Sequence, residues 1–144
     1  RAVFLIAGML PLSTALINTG LAAQIGAILT GALAPHGALV MVGGLCLVTL
    51  IVAQVMGSQV TALILAPIAI SAALHVGINP QAMAVAIAIA CSTAFLTPIA
   101  HPVNVLMMGP GGYTFRDFFR VGLGMTIITF AVLIAGMILF WGIR

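Results

Sequence analysis

Between Ala2 and Phe115 the chain carries no aspartate, glutamate, lysine or arginine. Its formal charges are confined to Arg1, Arg116, Asp117, Arg120 and Arg144. An uncharged tract of that length is several times the roughly 20 apolar residues that span a bilayer once. The chain must therefore cross or re-enter the membrane repeatedly. Composition agrees, with 64% hydrophobic and 3% charged residues against roughly 25% charged in soluble domains.

The same tract excludes several functions. Without an intramembrane carboxylate there is no such proton carrier, general acid or metal ligand, which removes most membrane enzymes and carboxylate-driven antiporters. Four arginines and a net charge of +3 are too few and too scattered to track phosphates, so no nucleic-acid partner is expected. Cys46 and Cys91 sit in separate apolar stretches without CxxC or Cys/His spacing. They read as packing residues, neither a disulfide nor a zinc site. The chain opens on Arg1 with no readable signal peptide, and a fragment or processed chain of a longer parent is expected.

Backbone groups in hydrocarbon must bond internally, so the apolar segments should be helices, broken only against protein or a water-filled cavity. Residues 1–20 read as a broken span kinked at Pro11 and ended by Asn18, Thr19 and Gly20. Residues 21–34 are too short to cross and read as an interfacial helix. Residues 38–77 form a helical hairpin, Ala38–Met56 and Thr61–Val76 joined by Gly57, Ser58, Gln59 and Val60. Its arms fit either two full spans or a re-entrant pair.

Residues 81–109 read as a second broken span, helical to about Phe95. Pro98 and Pro102 lie too close for one regular helix, so "TPIAHPVN" should unwind at membrane depth. The helix should resume at Asn104–Met108 and give way to an aqueous loop at Gly109–Gly112. Residues 114–144 hold an interfacial segment, "YTFRDFFR" with its lead residue, and a last span from Val121 to Trp141. The positive-inside rule puts Arg116 and Arg120 in the cytoplasm and both ends of the hairpin outside.

Two clusters of neutral polar and helix-breaking residues thus interrupt the apolar spans, Gly57–Thr61 and Thr97–Asn104. A discontinuous helix offers free amides at one end and free carbonyls at the other, roughly half a charge of each sign. The amides at Val60 and Thr61 suit an oxyanion. The carbonyls near Met56 and before Pro98 and Pro102 suit sodium. Ser58, Gln59, Thr61, Thr97 and Asn104 can add hydroxyl and amide groups. Alternatively, Thr61 simply bonds back to its own turn. His101 can donate to an anion, or instead bond a freed carbonyl as a neutral ring. His36 and His75 read as interfacial and the eight methionines as packing.

"TALILAPIA", "TPIAHPVN" and especially "GPGGYTFRDFFRVG" resemble the second repeat of the divalent-anion:sodium symporter family, within the ion transporter superfamily. The branch it is most similar to includes citrate, dicarboxylate and sulfate-type permeases. The resemblance covers nearly the whole chain. It implies an all-α polytopic bundle, half of an inverted-repeat transporter, with a re-entrant hairpin and an unwound helix. It implies substrate binding by Ser58, Gln59, Thr61, His101, Pro102 and Asn104, and sodium binding by Gly57, Ser58, Thr97, Ala100 and Asn104. The partners it implies are a small anion, sodium, lipid, the N-terminal repeat of the parent and a second copy in a homodimer of the bacterial inner membrane. No organic cofactor or catalytic residue is expected. The tip reads Gly-Ser-Gln-Val-Thr where the family has Ser-Asn-Thr, and His101 and Val103 stand where it has threonine and proline.

The resulting expectation is a secondary symporter that couples uptake of an oxyanion to sodium. A cation/proton antiporter of the same superfamily and a structural, interaction-only membrane subunit stand as the competing classes.

Overall fold

Proline and glycine placement decides where the helices begin and end. The computed structural model describes residues 3, 4, 7, 8, 11, 14, 15 and 18–143. The first expected span falls partly outside these residues; those described before Thr19 are helical. Beyond it run α1 (Leu21–Leu33), α2 (Ala38–Met56), α3 (Ser58–Val76), α4 (Pro80–Ser92), α5 (Pro102–Gly111) and α6 (Phe115–Trp141). Short 3-10 turns occupy Ala34–His36 and Pro98–Ala100. Among the described residues there is no strand. The chain is an all-α membrane bundle, and α2, α3 and α6 are each long and apolar enough to cross a bilayer.

The centre is made by α2, α3 and α4. Met41, Leu45 and Cys46 of α2 meet Ala69, Ala72 and Ala73 of α3 and Met83 and Ile87 of α4, all buried. The alanines let the backbones approach closely, the usual way helices associate in lipid, where no hydrophobic force drives them together. Leu133 and Met137 of α6 lean on this core. Ile25 and Leu29 of α1 pack on Leu65 and Ile68 of α3.

The hairpin joint is tighter than the sequence indicated. Ser58, Gln59 and Val60 belong to the first turn of α3, leaving Gly57 alone between the two helices. Its amide bonds Ala53 O at 3.1 Å to close α2, and its carbonyl accepts from the Thr61 amide at 3.1 Å to open α3. Gly57 does both at φ 87°, ψ 150°, a region open essentially to glycine.

The broken span departs from expectation at three points. Its first half stops at Ser92, not Phe95. The Thr93 amide bonds Ile89 O and Ala90 O, its hydroxyl donates to Ala90 O at 2.9 Å, and the chain leaves the helix there. Prolines then restart it twice. Pro98 and Pro102 each stand at a first helical position, where a missing N–H breaks no bond. The residues before them, Thr97 and His101, are extended, as the proline ring requires. Finally, Gly109–Gly111 are helical and no loop, because α5 continues to a left-handed Gly112. Phe115–Trp141 is likewise one unbroken helix. Thr114 and Asp117 start it with a reciprocal capping box.

The unwound residues are held against α6 at Gly122. A Cβ built there would lie 2.2 Å from the Phe95 carbonyl oxygen. One turn on, the Thr126 hydroxyl donates to Thr93 O at 3.4 Å.

Candidate ion-binding site

The hairpin tip and the 97–101 segment meet. Ser58, 9% exposed, donates from Oγ to Ala100 O at 3.4 Å and lies 3.3 Å from His101 Nε2. A hydroxyl has one proton, so both contacts are hydrogen bonds at once only if Nε2 carries the imidazole proton. Between the two segments lies a cavity of about 160 Å³, lined by Gly57, Ser58, Gln59, Ile99, Ala100 and His101 among others.

The N-caps of two helices line that cavity. Gly57 is the N-cap of α3 and His101 the N-cap of α5, and neither is capped by a side chain. The amides of Ser58, Gln59 and Val60 precede the first helical bond of α3 and have no partner within the helix. The α3 terminus presents about half a positive charge, and α5 adds little, because Pro102 has no N–H and the Asn104 amide bonds His101 O at 3.0 Å. No charged side chain belongs to either segment. Among the described residues no three His, Cys, Asp or Glu side chains group as metal ligands. Any cation bound here would rely on neutral oxygens.

The expected residues divide. Gly57, Ser58, Gln59, Ala100 and His101 line the tip cavity. Pro102 is the first residue of α5, next to it in the chain. Thr61 is fully buried, and its hydroxyl bonds back to Gly57 O at 2.8 Å. The Thr61 amide also bonds Gly57 O, so the free amides are those of Ser58–Val60, and Thr61's is not among them. Asn104 opens instead on a separate cavity of about 430 Å³ shared with Phe95, Tyr113 and Gly122.

Thr97 does not line the tip cavity either, and the residue it binds is one that sequence reasoning missed. Its amide donates to Gln54 Oε1 at 3.0 Å. Its hydroxyl donates to the Gln54 carbonyl at 2.8 Å and lies 3.2 Å from Oε1. Gln54 Nε2 is buried without an acceptor among the described residues. The available signal was a lone glutamine three residues before Gly57 in an apolar helix.

An apolar bundle in which two interrupted helices meet at an uncharged polar cavity has the architecture of a membrane transport protein. The chain belongs to the sodium:sulfate symporter family, whose transmembrane-region model matches residues 1–143. It is 39% identical to the uncharacterized transporter YfbS of Escherichia coli K12 over 91% of this chain and 22% of that protein. It is 34% identical to the uncharacterized transporter sll0640 of Synechocystis over 88% and 21%. Solute carrier family 13 member 1 of Mus musculus is 32% identical over 58% and 14%. The chain spans about a fifth of the length of the first two. No solved structure matches it at the same stringency. The family is one of transporters and not of enzymes.

Proposed function

We propose that the chain forms one half of a secondary symporter that carries a small oxyanion, such as sulfate or a di- or tricarboxylate, coupled to sodium. The single observation that carries this reading is the uncapped α3 N-terminus, with the amides of Ser58, Gln59 and Val60, facing the unwound 99–101 segment across one cavity free of charged side chains. Amides at such ends bind anions without ionised residues. The Ser58 hydroxyl and His101 Nε2–H would add donors by exchanging their long bonds to Ala100 O and Ser58 Oγ for the anion. Sodium, the coupling cargo, would use carbonyls of the 97–101 segment with the Thr97 hydroxyl oxygen. The family description and the solute-carrier relative support the same class.

The remaining half of the site would come from the rest of the parent, in the inner membrane and as a homodimer. The test is sodium-dependent uptake by the full-length parent reconstituted in vesicles, with labelled sulfate, succinate and citrate. Alanine at Ser58, Gln59 and Asn104 should each lower uptake strongly. Asn104 would act from the separate cavity that it lines. Undiminished uptake in all three variants would defeat the proposal.

A further inference from the structure

The two breaks are tied together through Gln54, and the tie is reciprocal. As the third-last residue of α2, Gln54 has a carbonyl with no helical partner past Gly57. Thr97, lying where the broken span has unwound, has an amide in the same position. Each satisfies the other: the Thr97 hydroxyl donates to Gln54 O at 2.8 Å, and the Thr97 amide to Gln54 Oε1 at 3.0 Å. The other side-chain contacts from the tip to this segment, those of Ser58, are longer at 3.3 and 3.4 Å. Packing alone does not explain the residue. A leucine or methionine would fill the space without leaving an amide nitrogen buried and unpartnered, as Gln54 Nε2 is.

We propose that Gln54 is a positioning residue that locks the hairpin tip to the unwound segment, so that the anion-facing amides and the sodium-facing oxygens keep one spacing and fill together. This rests on the proposed function. Ser58 follows Gln54 by four residues across the Gly57 joint, and Ala100 follows Thr97 by one 3-10 turn, its amide on Thr97 O at 3.4 Å. A fixed Gln54–Thr97 pair therefore fixes where Ser58 meets Ala100. With the pair cut, sodium no longer orders the anion site.

The experiment uses the full-length parent in proteoliposomes, wild type against Gln54→Leu, Gln54→Met, Thr97→Val and the Gln54→Leu/Thr97→Val double variant. Sodium activation is measured at fixed sulfate, and sulfate KM at saturating sodium. Each Gln54 variant keeps the Thr97 hydroxyl on the Gln54 backbone carbonyl but loses the Oε1 acceptor and leaves the Thr97 amide unpaired, which should raise both the half-saturating sodium and the sulfate KM about tenfold. The maximal rate should change far less, and the double variant should be worse than either single one, because each single variant cuts one of the two bonds and leaves the other. Unchanged constants in both Gln54 variants, a loss confined to the maximal rate, or a double variant no worse than the milder single one would overturn the inference.

Should both Gln54 variants fail to fold, cross-linking decides. In a parent carrying Ala53→Cys and Ala100→Cys, which pack in one buried cluster beside the intact Gln54–Thr97 pair, with Cys46 and Cys91 replaced by alanine, the two thiols should react equally fast with and without sodium sulfate. A pair that reacts in only one condition overturns the lock. Wild-type protein with no sodium-dependent uptake of any oxyanion would instead defeat the proposed function, a result distinguishable from Gln54 variants that behave as an active wild type.

Discussion

Replacing Gly122 with alanine puts a methyl group where the unwound chain already lies. Its carbon would stand 2.2 Å from the Phe95 oxygen, 2.7 Å from the Phe95 carbonyl carbon and 3.0 Å from Leu96 Cα. All three neighbours are backbone atoms, so no rotamer change relieves the clash. The separation must grow by about 1 Å to reach ordinary contact. Overpacking of this kind costs about 1–3 kcal/mol, against about 1 kcal/mol regained because alanine suits a helix better than glycine. Gly124, in the same helix, has nothing within 4 Å of its own Cβ position. Gly124→Ala receives the propensity gain alone, so the difference between the two variants isolates the steric term at about 1–3 kcal/mol. The displaced segment leads directly to Thr97–His101, and a shift of that size should lower uptake efficiency about tenfold or more. Thermal unfolding of the full-length parent in detergent gives the first quantity, and vesicle uptake the second. If Gly122→Ala unfolds with Gly124→Ala and transports normally, the close approach of α6 to the break is wrong.

Gly57→Ala should destabilise the hairpin by about 1–3 kcal/mol, since φ 87°, ψ 150° excludes a side chain; a melting temperature equal to wild type would contradict the one-residue joint. Asn79→Ala removes the acceptor of the Gln81 amide at 2.9 Å and should lower stability by about 1 kcal/mol, read by the same melt, with uptake kinetics unchanged. Thr114→Val removes the hydroxyl that pairs with Asp117 at 2.6 Å and should cost a similar amount, about 0.5–2 kcal/mol. His101→Ala deletes the ring facing Ser58 and should raise the anion KM more than the half-saturating sodium, measured by uptake titrations.

The absence of charge over residues 2–115 was enough to read an all-α membrane bundle, because hydrocarbon leaves the backbone no other way to bond. Gly57 and the Pro98/Pro102 pair marked both interruptions for similarly local reasons. What needed coordinates was direction. Thr61 looks like a ligand by its neighbours, yet its hydroxyl is spent on Gly57 O. Asn104 follows the second proline by two residues, and which cavity it opens on depends on how the chain turns at His101.

Gln54 shows the limit most clearly. Its partner is 43 residues away, and no local period or motif connects the two. The end of α4 was missed for a related reason. "CSTAF" has no breaker, and the helix stops at Ser92 where the Thr93 side chain bonds Ala90 O and the chain beyond is held on Gly122 of α6. Tertiary contact outweighed local propensity there.

A structure of the full-length parent with sodium and sulfate bound addresses the central claim most directly. The account predicts an oxyanion within hydrogen-bonding distance of the Ser58, Gln59 and Val60 amides, beside His101, with no ionised side chain of this chain in contact. An anion held elsewhere by arginine, with the hairpin tip turned toward lipid, would contradict it.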